Sequence, residues 1–536
     1  MEEILIRTED IPLADILNMF VETENDRQIV NCLKGKMPYI LVGSRGVGKS
    51  FLLKVAQAEL KSEFESKRSL PVYISFISSP LLQGLSDKSF NAWMLSKILT
   101  TIIRELNKIG VTSFPNLRFN GINRKNSKTT DLSTHLEQLV ESLESAWQDP
   151  TAQTTNEDLD TPDAEQIKDA IEEVCIKSDI QRIILLIDEA SHIFIPNQQR
   201  LFFSLFRDLR SPYLNCKAAV YPGVTSYGPN FQPTHDASML TTERDIRGGN
   251  YIQSMKDIAL KQVSPALSKQ IEQYGRNFSI LAYSAHGNPR TLLKSLAKGV
   301  KLSSSEINLH IKDYYRTEVW SEHSLLSQKY SGHRALIDWA RNFIENSVLP
   351  ALTKKNNDNL EGSTAYFWIH RDAPAYVHQA MGILKYTGIV QEHMAGVKNG
   401  FGEIGTKYIV NLGCLFSLLG DPVIEGSEIA AKLDDKRYVL FGKNHIAFSQ
   451  QSNEFSLLNE NSLNSSILGQ QLQKDIQILD LTDFQKKTLI SVGIKTIADI
   501  LKATDAKIQE AKGIGIAKTR KIRNAAYTAV FEYLSG

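Results

Sequence analysis

Tyr39-Ile40-Leu41-Val42-Gly43-Ser44-Arg45-Gly46-Val47-Gly48-Lys49-Ser50-Phe51-Leu52-Leu53-Lys54-Val55 is the stretch on which the fold turns. A short apolar run enters a glycine-rich loop and a helical run leaves it. Residues 43–50 have the G-x-x-x-x-G-K-S spacing of a P-loop. Glycine is required because the backbone must bend into left-handed conformations and approach a ligand closely. The N–H groups from Gly43, Ser44, Arg45, Gly46, Val47, Gly48, Lys49, Ser50 and Phe51 then face phosphate oxygens at the positive end of the helix. Such a loop assigns Lys49 to the β- and γ-phosphates and the Ser50 hydroxyl to Mg²⁺.

A second stretch, Arg182-Ile183-Ile184-Leu185-Leu186-Ile187-Asp188-Glu189, reads as a strand buried on both faces that ends in two acids. Ligands of open α/β sheets bind at the carboxyl ends of the strands. Asp188 is therefore placed for the Mg²⁺ shell, and Glu189 to orient and polarise an attacking water. The two stretches together imply ATP or GTP binding with hydrolysis.

A chain of 536 residues exceeds one core and suggests three or four domains. Hydrophobic and charged shares of 42% and 23% are those of a soluble globular protein. Lys+Arg 61 against Asp+Glu 60 leaves +1, so any nucleic-acid contact must come from a local basic patch. Cys32, Cys175, Cys216 and Cys414 are far apart and form no C-x-x-C pair, which argues against a zinc ribbon or a disulfide framework and fits a reducing cytoplasm. No membrane span is expected. The scattered histidines, His192 and His235 among them, show no metal-ligand spacing.

Along the chain, the first 300 or so residues alternate strand and helix, giving an α/β layer fold. Strands are expected over 70–77 and 217–221, helices over 90–106 and 202–209. A polar insertion at about 112–166 holds a helix near 132–147 followed by a loop. Beyond Glu318, helices over 333–349 and 374–386 precede strands at 389–394 and 407–411 around a glycine-rich turn, the order of a winged helix. Tyr438–Phe441 could add a strand, and 449–471 is rich in Ser, Asn and Gln.

With these motifs in order, the chain resembles the AAA+ ATPases, in particular the origin-recognition and replication-initiator type. Phe20-Val21 resembles the segment that helps hold adenine, and Asp188-Glu189 matches the family's acidic pair. Gly223-Val224-Thr225-Ser226 falls where the family places sensor 1, which gives Ser226, or Thr225, that role. Gly287-Asn288-Pro289-Arg290 resembles the initiator-type sensor 2, which implies that Arg290 contacts the γ-phosphate. Arg207, Arg210, Arg244 and Arg247 are the candidates for an arginine finger. The resemblance implies an AAA+ core over 1–255, a helical lid over 256–317 and a winged helix over 318–422. A linker with room for a hairpin would follow over 423–472. It also implies ATP with Mg²⁺ and a homo-oligomer.

The last segment, 473–536, reads as a small all-α domain. Gly513-Ile514-Gly515-Ile516-Ala517-Lys518 resembles a helix-hairpin-helix turn leading into a helix over 519–534, and 488–497 resembles the C-terminal domain of the RNA polymerase α subunit. Lys512, Gly513, Gly515, Lys518, Arg520 and Lys521 are the candidate contacts to duplex DNA, through phosphates. The same surface could dock a protein. Three outputs stay open: a DNA-associated ATPase, a nucleotide-gated signalling or defence switch with a protein effector, and a transposition or plasmid-maintenance regulator. In the winged helix, His378, Gln379 and Lys385 on the recognition helix, and Lys398, Asn399 and Lys407 in the wing, are weighed evenly between DNA contact and packing.

Overall fold

The computed structural model describes residues 4, 8–76, 82, 86–115, 129–145, 162–190, 196–299, 301–329, 334–358, 362–449, 473–479, 481–516, 518, 519, 522, 523, 525 and 526. Five strands form the first sheet: β1 (Tyr39–Val42), β2 (Ser69–Ser75), β3 (Arg182–Asp188), β4 (Leu214–Val220) and β5 (Ser238–Thr241). Their order is β2-β3-β4-β1-β5 and every pairing is parallel. Val42 lies opposite Val220, and Ile187 opposite Ala218. The register therefore brings Gly43, Asp188 and Tyr221 out of the sheet along one edge.

Alternation along β3 divides the two helical layers. Ile184 and Leu186 pack with Val30, Leu33, Leu52 and Leu53 from helices Glu24–Lys34 and Lys49–Ser62. Ile183, Leu185 and Ile187 pack with residues of helices Asp87–Lys108, Ala164–Lys177 and Pro196–Asp208. A strand covered on both faces has to be apolar throughout, which is why this one was conspicuous in the sequence. Lys217 is the charged exception inside β4. Its ammonium donates to the carbonyls of Gly35 and Met37, tying down the chain that enters β1, and burial pushes its pKa down to about 7.

Within the polar insertion, helix Thr129–Ser145 packs on Asp87–Lys108, where Glu144 accepts from Trp93 Nε1 (3.0 Å) and Lys97 Nζ (2.7 Å). Most of the expected loop after it, and Trp147, lie outside the described residues.

The second half departs from the expected division. Helices Tyr251–Leu260, Pro265–Gln273, Gly275–Ser284, Pro289–Ala297 and Ser304–Tyr314 form the lid. A second sheet of β6 (Tyr366–His370), β7 (Val390–Lys398), β8 (Ile404–Val410) and β9 (Val439–Phe441) has the order β7-β8-β6-β9. Met255, Phe278 and Leu292 of the lid share one continuous core with Tyr376, Phe416, Phe441 and Phe448. No break falls at 317/318: lid and C-terminal lobe are one packed body. Residues 423–449 are likewise part of that lobe and not linker, with helix Pro422–Ala431 packed on Phe416 and β9 paired parallel to β6 instead of forming a hairpin.

Helix Ala375–Thr387, the expected recognition helix, buries Tyr376, Val377, Ala380, Met381, Gly382, Ile383, Leu384 and Tyr386. So wide an apolar face has to be covered, and the lobe and the ATPase core cover it. Lys385 pairs with Glu392 at 2.6 Å, and Lys407 donates to Asp435 O. The hairpin strands are longer than expected, and Asn399–Glu403 form the tip with Phe401 81% exposed.

The last segment holds its own core of Ile476, Leu489, Ile497, Ile508, Ile514 and Ile522. Helices Asp483–Ser491 and Ile497–Lys502 each open on a capping box, Thr482 with Gln485 and Thr496 with Asp499. Among the described residues no helix is long and apolar enough to cross a membrane.

Candidate nucleotide site

The P-loop has the geometry its glycines permit. Gly46 and Gly48 take φ of +90° and +104°. A Cβ on Gly46 would come within 2.7 Å of Asn288 Oδ1, so this glycine is needed for close packing as well as for its backbone. Helix Lys49–Ser62 begins directly after the loop. Lys49 is folded back over it, donating to Gly43 O at 2.7 Å and Ser44 O at 2.9 Å, with Nζ 4.0 Å above the Tyr221 ring. Burial pushes the Lys49 pKa down to about 8, against the raising charges of Asp188, Glu189 and Glu243.

Asp188 ends β3 almost fully buried. It accepts from Tyr73 Oη at 2.7 Å, from Glu189 N at 2.9 Å and from the Ser50 hydroxyl. Burial, then the charge of Glu189, raise its pKa, and the Ser50 and Tyr73 hydrogen bonds pull the other way. Glu189 adopts φ 56°, a left-handed conformation costly for a residue with a Cβ and concentrated at functional sites. Its carboxylate accepts from Tyr221 Oη, 3.2 and 3.1 Å from the two oxygens.

Lys49, Ser50, Glu189 and Tyr221 line a cavity of about 480 Å³. Phe20 and Val21 line it beside Phe51, the two phenylalanine rings 6.4 Å apart. Ser44, Arg45, Gly46, Gly48, Lys49 and Ser50 line it from the loop; Glu189, Tyr221 and Glu243 line it from the sheet edge. Arg290 reaches it from the first turn of helix Pro289–Ala297. That helix is fastened to the loop: Asn288 Nδ2 donates to Arg45 O at 2.8 Å, and Arg290 N to Gly46 O at 3.4 Å. Gly43 and Val47 complete the loop behind these walls.

Ser226 is not among the lining residues. Its N–H donates to Gln199 Oε1 (2.6 Å) and its hydroxyl accepts from Arg200 Nε (3.2 Å). Thr225 donates to Tyr221 O at 2.6 Å. The reason is register. β4 ends at Val220, so the first residue past the strand is Tyr221, and the turn at Gly223 (φ +79°) carries the chain away before Ser226. Ending the strand 214–220 level with β1 makes Tyr221 the first residue past the sheet. Ser44 N donates to Glu243 Oε1 at 2.6 Å, a further contact the sequence did not announce.

The arginine-finger candidates divide. Arg244 is half-buried against Asp26 (3.1 Å) and donates to Val47 O (3.0 Å). Arg247 pairs with Asp435 of the C-terminal lobe at 2.9 Å. Arg207 pairs with Asp208 and donates to Asn230 O. Arg210 is exposed. In the last segment Lys512, Gly513 and Gly515 form the turn, Gly513 at φ +79°, and Lys518 Nζ donates to Gly513 O at 2.7 Å. Arg520 and Lys521 lie outside the described residues.

A parallel sheet of this strand order, a phosphate loop after β1 and an acidic pair after β3 define a P-loop ATPase of the AAA+ class. The family model for ORC-CDC6-like proteins matches residues 5–358, and the chain belongs to that family. No curated protein matches. Among solved structures it is similar to the Walker-type ATPase PABY2304 of Pyrococcus abyssi, at 13% identity, 79% of this chain, 97% of that chain and a TM-score of 0.35. It is also similar to Aeropyrum pernix ORC1 in complex with DNA (12%, 75% and 93%, 0.32) and to Aeropyrum pernix ORC2 with ADPNP and ADP (12%, 80% and 97%, 0.33).

Proposed function

We propose that this ATPase hydrolyses ATP with Mg²⁺ and couples the nucleotide state to contact with duplex DNA through its last segment. What carries the reading of the chemistry is that Lys49, Ser50 and Glu189 line one cavity while Asp188 is hydrogen-bonded to Ser50 and to the Glu189 N–H. Mg²⁺ sites of this kind use one or two protein oxygens and fill the rest with phosphate and water. Ser50 and Asp188, already hydrogen-bonded to each other, fit that demand. Bound there, Mg²⁺ would neutralise charge on the phosphates. Lys49 and Arg290 bind the phosphates, Glu189 holds the attacking water, and Tyr221 orients Glu189 through both of its oxygens. The chemistry is electrostatic positioning. Phe20, Val21 and Phe51 offer the apolar wall for a base.

DNA contact is supported by the Gly513–Gly515 turn with Lys512 and Lys518 at it, and by Arg520 and Lys521 following in the sequence, since phosphate recognition needs little more than backbone N–H groups and cations. A protein partner at the same turn is the second reading, supported by Phe484 (53% exposed) and Ile516 (69%) beside it. The test is ATP turnover with Mg²⁺ or with chelator, with and without duplex DNA, alongside assembly size. Glu189→Gln should keep nucleotide and lose turnover; normal turnover in that variant removes Glu189 from its role. DNA that leaves turnover and mobility unchanged at low salt favours the protein partner.

A further inference from the structure

Around Phe20 and Val21 the cavity is walled by Met19, Phe51, Leu52 and Ile258, a surface suited to the faces of a base but mute about its edge. Several polar groups beside that wall are already engaged. Thr8 O accepts from Lys54 Nζ at 2.9 Å, Val21 O from Thr23 N at 3.0 Å, and Asp26 from Arg244 at 3.1 Å. Gln262 differs from these. It follows the lid helix Tyr251–Leu260, is half-buried, and lines the same cavity. Its N–H donates to Ala259 O at 2.9 Å, which continues the helical turn and sets Gln262 on the face of Ile258. Its Nε2 donates to Met19 Sδ at 3.6 Å, and the neighbouring Lys261 Nζ donates to Asn18 O at 2.7 Å. The end of the lid helix is thereby fastened to the segment that carries Phe20 and Val21. Among the described residues Oε1 of Gln262 accepts no hydrogen bond.

A thioether accepts and does not donate, so it holds the amide with nitrogen toward Met19 and oxygen turned away. One acceptor, Oε1, and the second N–H of Nε2 are left for a ligand. That pair fits an amino group next to a ring nitrogen, the pattern by which a glutamine amide recognises adenine. Guanine carries a carbonyl oxygen at the same ring position. Meeting it requires the amide to be reversed, which sets Oε1 against the Met19 sulfur, acceptor against acceptor. We propose that Gln262 is the specificity-determining residue for the base: Oε1 accepts from the 6-amino group of adenine, and Met19 holds the amide in the orientation that refuses guanine. The proposal rests on the nucleotide reading of the cavity and adds to it the residue that reads the base.

Binding of three β,γ-imido triphosphates to the full chain tests it: those of adenosine, of purine riboside, which carries only hydrogen at position 6, and of guanosine. The unaltered protein should bind the adenosine compound about tenfold more tightly than either of the others, the worth of one hydrogen bond. Gln262→Leu should bring the adenosine compound down to the level of purine riboside and leave purine riboside unchanged. A merely structural role would weaken both alike. Asp10, exposed and also lining the cavity, is the control: Asp10→Ala should keep the preference. Should Gln262→Leu lose its fold, Gln262→Ala replaces it with the same expectation. An unaltered protein indifferent to the 6-amino group, a preference that survives at Gln262→Leu, or an equal loss for both compounds overturns the proposal. Failure of the unaltered protein to bind any of the three refutes the nucleotide reading instead.

Discussion

Replacing Gly382 with alanine tests whether the C-terminal lobe is seated on the catalytic edge of the sheet. Gly382 lies inside helix Ala375–Thr387, and a Cβ there would come 2.5 Å from Gly223 O and 3.3 Å from Gly223 C. The reverse holds as well: a Cβ on Gly223 would come 2.6 Å from Gly382 Cα. Two backbones touch here with no side chain able to yield. In an exposed helix the exchange would stabilise by about 0.5–1 kcal/mol. Overpacking against fixed atoms costs about 1–3 kcal/mol. The net is a destabilisation of about 1 kcal/mol, opposite in sign to helix propensity. Function should suffer more than stability. Gly223 follows Tyr221 by two residues, Tyr386 follows Gly382 by one helical turn, and the two tyrosine rings meet edge-on at 5.0 Å. Pushing the helix outward draws Tyr386 from Tyr221, whose hydroxyl holds Glu189. Denaturant midpoints and ATP turnover on Gly382→Ala, with Gly400→Ala as the open-space control, check this. A Gly382→Ala protein that is more stable than its parent and turns over ATP normally would refute the seating.

Two further outcomes follow from the site. Tyr221→Phe should lower turnover at least tenfold with little change in nucleotide affinity, because it removes only the hydroxyl bonded to Glu189, whereas Ser226→Ala should leave both unchanged; steady-state kinetics on the pair distinguish the two positions. For Lys49, the empty site favours the neutral amine above about pH 8, and triphosphate charge restores the ammonium. Binding should then take up close to one proton at about pH 9 and almost none from Lys49 at about pH 6.5, so affinity is full on the acid side of that pKa and falls as pH rises through it. Titration calorimetry in buffers of different ionisation heat measures the uptake, and its absence at pH 9 contradicts the buried lysine.

The elements legible in the sequence were those whose signal is local. Residues 39–42 became β1 at the expected bounds, and 182–188 became β3, because strands buried on both faces cannot hide their composition. Ser226 was misplaced because the end of β4 depends on its partner's register, which no single stretch encodes. Helix Ala375–Thr387 was ambiguous for a different reason. Its few polar residues invited a groove-binding role, yet its apolar face is too broad for anything but a packed interior. Gly223 and Gly382 touch across more than 150 residues of chain, and neither glycine signals the other.

That contact and the shared core together constrain how the ATPase can work. Lid residues such as Phe278 and Leu292 and lobe residues such as Phe416 and Phe441 belong to one close-packed interior, and close-packed interiors shift as units. A lid that closes on nucleotide through Asn288 and Arg290 must therefore carry the whole lobe with it. The lobe in turn meets the core at the Arg45–Glu322 pair (3.1 Å), at Tyr386 on Tyr221 and at Arg247 on Asp435. Two of those three contacts involve residues that also line the cavity. Any occupant that draws Arg45 or Tyr221 toward phosphate weakens the seat of the lobe, and any partner that lifts the lobe alters the hold of Tyr221 on Glu189. The coupling is reciprocal by thermodynamic necessity: a ligand of the lobe that changes nucleotide affinity by some factor must have its own affinity changed by the same factor when nucleotide binds.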